Sequence, residues 1–209
     1  MKTSPPRATI AIGAITVASY LLVDVLGIRD AATMSGGFIA ARWSGMPIAG
    51  LVIPAWLTPL TTTLLHASLM HLGFNLLMLF FCGRQDEVAL GPVGVTVLYV
   101  VGAYTAAIGA FLAGPHSVIP GIGASGATSA LVGAYALLYG QRRPSAAHPE
   151  LARWLHVLWL AAAWLFLQLL LGFASAVQGV TSGTAAHVGG FIGGLLLARP
   201  LLLWRYRKA

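Results

Sequence analysis

Apolar residues run in long, nearly unbroken stretches along this chain instead of alternating at every second position. A membrane-crossing helix takes roughly 20 predominantly apolar residues. Stretches near that length lie at about 8–28, 64–83, 93–113, 125–140, 153–175 and 184–204. They predict an all-α, polytopic membrane protein, a single domain over residues 1–209 built as a bundle of six transmembrane helices. The first connector, about residues 29–63, is long and holds Gly36, Gly37, Gly45, Pro47, Gly50, Pro54 and Pro59 together with Trp43 and Trp56. It reads as an irregular or interfacial segment at the membrane surface. The others are short: Gly83–Pro92, Gly114–Gly123, Gln141–Glu150 and Ser175–Gly183.

Polar positions interrupt three of the spans. The second contains His66-Ala67-Ser68-Leu69-Met70-His71-Leu72-Gly73-Phe74-Asn75. The fourth opens Gly123-Ala124-Ser125-Gly126-Ala127-Thr128-Ser129, and the sixth opens Gly183-Thr184-Ala185-Ala186-His187-Val188-Gly189-Gly190. Polar groups in hydrocarbon are costly and ask for a partner or a purpose. At a rise of about 1.5 Å per residue, Ser125 lies about 22 Å from the end of its helix. His71 lies about 18 Å, and His187 about 18–25 Å, from the ends of theirs. In a core about 30 Å thick, all three then stand in the outer half at similar heights. The fourth span is short for a crossing, so the Gly/Pro-rich loop before it dips inward, where protein or water must satisfy its backbone.

Composition removes the soluble and disordered classes. The chain is 58% hydrophobic and 8% charged, too few charges for the polar shell of a globule and too apolar for a disordered chain. The net charge of +7 does not predict a nucleic-acid partner. Its cations cluster between apolar stretches, at both termini and in the second and fourth connectors, while the first connector holds Arg29 and Arg42 and the third and fifth hold none. That asymmetry predicts both termini in the cytoplasm. Short connectors and the lack of an organelle-targeting signal point to a bacterial inner (plasma) membrane. Cys82 is the one cysteine and reads as a small apolar filler.

The faces of the three polar spans suggest chemistry. His71 and Asn75 are four apart and share a face. Gly183, His187, Gly190 and Gly194 form one small-residue stripe, and Ser125, Ser129 and Gly133 another. Such stripes let helix backbones approach closely. The fourth and sixth helices are thereby expected to bring Ser125 Oγ within reach of His187, as nucleophile and general base. Asp24, Asp30, Asp86, Glu87 and Glu150 are the only carboxylates, and none is near His187 in sequence. A Ser–His dyad is therefore expected in place of a triad. Oxyanion donors are available from the Ser125 backbone N–H at a helix N-terminus and from His71 and Asn75. Gly123 and Gly126 would free the turn and admit a substrate backbone.

In these three elements, in order on separate spans, the chain resembles the rhomboid family of intramembrane serine proteases over nearly its whole length. The resemblance implies a rhomboid-like fold and hydrolysis of peptide bonds in or next to transmembrane segments of single-span membrane-protein substrates in the lipid bilayer. It implies Ser125 as nucleophile, His187 as base, His71, Asn75 and the Ser125 amide as oxyanion hole, and no cofactor. It also implies a substrate gate at the fifth span and the loop before Gly183. Two positions depart from the family's pattern. No Arg follows Trp56 in the first loop, where many members carry Trp-Arg. Ser129 stands four after the nucleophile, where many members pack an aromatic ring on the imidazole. Either Ser129 hydrogen-bonds His187, or the ring is held less firmly.

Blander readings stand beside these. Ser125 alone is a small helix-contact residue, and His71 and Asn75 alone are interhelical hydrogen-bond glue. His66 reads as structural, tying down the first loop. No metal site is expected from His66, His71 and His187, since the His-Glu-x-x-His pattern is absent and no carboxylate is at hand. Trp154, Trp159 and Trp164 read as lipid-facing or interfacial anchors. The competing function is a proteolytically inactive rhomboid-like protein that binds membrane clients.

Overall fold

The computed structural model describes residues 5–48, 53–139, 149–176 and 183–207. Among them every regular element is helical, as the apolar pattern predicted. The helices are α1 (Arg7–Val25), α2 (Arg29–Gly36), α3 (Ala40–Trp43), α4 (Thr58–Thr61), α5 (Leu69–Met78), α6 (Arg84–Ala113), α7 (Ser125–Tyr139), α8 (Pro149–Ala176) and α9 (Thr184–Arg205). A π-helical turn, Leu79–Gly83, joins α5 to α6. The basic residues Lys2, Arg142, Arg143 and Lys208, and the loop before Gly183, lie outside the described residues.

The second apolar span begins later and ends later than its hydropathy implies. Ser68 caps α5, its side chain accepting from the backbone N–H of His71 at 3.2 Å. The helix then continues through the predicted connector as far as Leu90, because no breaker precedes Gly91. Gly91, at φ 75° and ψ 170°, interrupts α6, and Pro92 opens the next helical run. The two runs on either side of Gly91 are each about 33 Å long, enough to cross the hydrocarbon core.

Asp86 and Glu87 accordingly lie in a helix and not in a connector. Asp86 is completely buried. Glu87 caps the start of α1, accepting from the backbone N–H groups of Ala8 and Thr9 at 2.9 Å each and from Thr9 Oγ1 at 2.7 Å. The N-cap of α1 is Pro6, which offers no side-chain acceptor, so the carboxylate supplies what the local sequence lacks. At the same end Arg205, in the last turn of α9, donates to the carbonyls of Glu87 and Val88 at 3.2 and 2.8 Å. Tyr139 Oη donates to the carbonyl of Gln85 at 2.7 Å.

The core is the contact of α6, α7 and α9. The doubled glycines of α9 give it two close faces. A Cβ on Gly190 or Gly194 would lie 2.0 Å from the carbonyl oxygen of Gly126 or Ala130 in α7. A Cβ on Gly189 or Gly193 would lie 2.4 or 2.3 Å from backbone or side-chain oxygen of Thr105 in α6. Gly133 of α7 and Gly109 of α6 return the contact, each against a carbonyl of α9 at 2.3 Å. The packing device is backbone on backbone, with α9 held between two partners.

The first connector lies against the loop before α7. Phe38 and Gly121 exchange both backbone hydrogen bonds at 2.9 and 2.8 Å, and Ala41 N–H donates to the carbonyl of Ser117 at 3.0 Å. The connector is also tied to itself: Arg42 Nη2 donates to the carbonyl of Ile53 at 2.6 Å, and Trp43 Nε1 to that of Ala55 at 3.1 Å. Arg42 and Trp43 thus anchor a loop that has no Arg after Trp56.

Candidate active site

Ser125 is the first residue of α7, and His187 lies in the first turn of α9. Gly190, three residues after His187, seats its helix against the carbonyl of Gly126. That contact fixes α9 beside the first turn of α7. Ser125 Oγ and His187 Nε2 are 2.8 Å apart, joined across 62 residues of chain. Both side chains are half-buried, so neither is sealed from an incoming molecule.

The loop before Ser125 is held in place by protein. Gly123 N–H donates to the carbonyl of Thr62 at 2.9 Å, and Thr62 Oγ1 donates to the carbonyl of Gly121. An inward loop needs such internal partners. Gly123 is buried at φ 116°, a conformation L side chains rarely adopt. Its missing Cβ also makes room for His71, whose Nε2 is 2.6 Å from where that atom would sit.

His71 Nδ1 accepts from the backbone N–H of Ala67 at 3.4 Å. The proton of a neutral ring is then on Nε2, the nitrogen that faces Gly123. Asn75 is buried one turn further along α5, donating from Nδ2 to the carbonyl of His71 at 2.8 Å. The second N–H of that amide is a further donor. The Ser125 amide belongs to the first turn of α7, whose N–H groups have no intrahelical acceptor. Gly126 is occupied by helix packing on two sides: a Cβ there would lie 2.5 Å from Ala106 Cβ, and its carbonyl faces Gly190.

Ser129 turns its hydroxyl to partners other than His187. Its hydroxyl donates to the carbonyl of Ser125 at 2.7 Å and accepts from Trp164 Nε1 at 3.1 Å. His187 Nδ1 has no hydrogen-bond partner among the described residues. Trp164 is buried at 9% exposure and is not a lipid-facing anchor, whereas Trp154 and Trp159 are exposed as expected. Nothing in the apolar run around Trp164 marks it as inward-facing; its partner is a serine of another helix. His66 is buried with its ring edge-on to that of His71, centroids 5.1 Å apart, and neither ring nitrogen has a hydrogen-bond partner among the described residues. Thr62, Arg42, Trp43 and Arg29, which donates to the carbonyl of Ala67 at 3.0 Å, hold the connector instead.

Comparison with known proteins finds relatives along most of the chain. A family model described as the Rhomboid domain matches residues 54–204. The chain is similar to the Rhomboid protease GlpG of Pectobacterium atrosepticum, 28% identical over 201 residues that cover 95% of this chain and 64% of that protein. It is similar to the Rhomboid protease GlpG of Yersinia enterocolitica, 31% identical over 195 residues, and to that of Yersinia pestis, 31% identical over 198 residues. In both cases 91% of this chain and 61% of the relative are covered. The chain therefore spans somewhat over three fifths of the length of these relatives. With the family's domain matched from the first connector to the end of α9, the chain belongs to the rhomboid family.

Proposed function

We propose that this chain is an intramembrane serine endopeptidase, working through a Ser125–His187 dyad on peptide bonds in or next to the transmembrane segments of single-span membrane proteins. The observation that carries the reading is the 2.8 Å contact between Ser125 Oγ and His187 Nε2. Nucleophile and base must be within hydrogen-bond reach, and here two helices present them at half-buried positions.

In this mechanism Ser125 Oγ attacks the scissile carbonyl while His187 Nε2 takes the hydroxyl proton. The carbonyl oxygen becomes an oxyanion, met by the Ser125 amide, by His71 Nε2–H and by the free N–H of Asn75. Collapse of the tetrahedral intermediate breaks the C–N bond, and His187 delivers the proton to the leaving amine. Water, deprotonated by His187, then cleaves the acyl ester and regenerates the serine. The proposed setting is a bacterial plasma membrane with both termini cytoplasmic.

Fluorophosphonate labelling of the purified protein tests the dyad. Wild type is expected to label at Ser125, with labelling abolished in Ser125→Ala and reduced at least about 100-fold in His187→Ala, the scale of general-base catalysis. The labelling rate falls on the acid side along a one-proton curve, because only the neutral imidazole accepts the hydroxyl proton. A single-span model substrate incubated with wild type and Ser125→Ala reports proteolysis. A folded wild type that neither labels nor cleaves would instead be a client-binding member of the family.

A further inference from the structure

We propose that Trp164 is a positioning residue for this reaction, its indole N–H docking α8 through Ser129 onto the turn that presents Ser125. The inference rests on the reading of Ser125 as nucleophile.

Most described side chains of α8 face outward, among them Leu151, Trp154, Leu155, Leu158, Trp159 and Phe166. Val157 and Trp164, two turns apart, are the buried ones and form the face that α8 turns to the bundle. Of these two only Trp164 has a polar group to place. It spends that group on Ser129 Oγ, which is itself completely buried. A buried indole N–H left without an acceptor would be costly, so the pair favours one docked position of α8 over its neighbours.

The bond does not stop at Ser129. Because the hydroxyl accepts from Trp164, its own proton is directed at the carbonyl of Ser125 at 2.7 Å. A hydroxyl that accepts one bond while donating another is polarised in the same sense by both. The carbonyl it reaches belongs to the nucleophile, so the relay fixes the peptide plane on which Ser125 Oγ is mounted. Ser129 Cβ also lies 3.2 Å from where a Cβ of Gly190 would sit, one turn after His187. One serine thereby touches the helix of the nucleophile, the helix of the base and the indole of α8. The hydrogen bond of Trp164 goes to Ser129 and not to the dyad, so its contribution is to geometry.

The test measures fluorophosphonate labelling of full-length protein across probe concentrations, separating the maximal rate from the half-saturating concentration. Trp164→Phe keeps an aromatic ring and removes the donor. It is expected to lower the maximal rate about fivefold, the scale of one hydrogen bond, with the half-saturating concentration unchanged. Ser129→Ala is expected to give the same loss, and the double variant no more than either single. If Trp164→Phe does not fold, Ser129→Ala carries the rate comparison. The indole N–H resonance of Trp164 then supplies a second readout and is expected to move in Ser129→Ala. Full-rate labelling in both single variants, additive losses, or an unmoved resonance overturns the proposal while leaving the dyad intact. Failure of the wild type to label Ser125 overturns the dyad, and the positioning role with it.

Discussion

A methyl group at position 123 would meet two obstacles at once, since the residue sits at φ 116° and the added carbon would fall 2.6 Å from His71 Nε2. Strain of this kind costs about 1–3 kcal/mol, and displacement of His71 would remove a proposed oxyanion donor. Gly123→Ala is therefore expected to lower the fluorophosphonate labelling rate about 10²-fold, the scale of one lost oxyanion donor. Gly73→Ala is the control: that glycine is exposed on α5 with open space around it, and both rate and thermal stability should stay unchanged. Much at this scale was legible beforehand. Ser125 and His187 stand in short motifs, and the glycine stripes say which helix faces meet. Ser129 was not legible, because its partner is an indole 35 residues away on a helix whose described side chains mostly face outward. The anchoring role of Arg42 and Trp43 was hidden for the same reason, their acceptors being backbone carbonyls that any sequence would supply.

At the scale of the element, α9 depends on small residues more than on hydrophobicity. Gly194→Leu would drive a side chain into the carbonyl of Ala130, 2.0 Å from the first added carbon. Overpacking of this kind costs about 1–3 kcal/mol or more, because the obstacle is backbone and not a side chain that can turn away. Thermal unfolding in detergent is expected at a clearly lower temperature in Gly194→Leu and near the wild-type value in Leu196→Ala, whose side chain is largely exposed. That several long apolar helices would form was readable because bilayer thickness sets the length of such stretches. The ends of the second were not. Its start depends on the Ser68 cap, and its end on Gly91, seven residues beyond Arg84, where charged residues begin to interrupt the apolar run. Charge alone did not end the helix, because Glu87 found backbone donors on another helix.

For the whole molecule, the start of α1, the Arg84–Leu90 segment and the ends of α7 and α9 meet at one end of the bundle, with Arg7, Arg84 and Arg207 exposed there. The first connector and the loop before α7 share the other end. In the proposed orientation, with both termini cytoplasmic, the first end is the cytoplasmic one. An impermeant maleimide added outside intact cells is expected to label Val118→Cys and to leave Arg207→Cys unlabelled until the membrane is opened. Both positions are exposed, while the native Cys82 is buried in the core.

The Glu87 cap also bears on the order in which the molecule is assembled. Ala8 and Thr9 emerge from the ribosome 79 and 78 residues ahead of the carboxylate that binds their N–H groups. At about 5–20 residues per second, those donors wait several seconds for their acceptor. During that interval the N-terminal turn of α1 lacks the carboxylate that caps it in the finished bundle. Its cap is complete only once the second apolar span has been made.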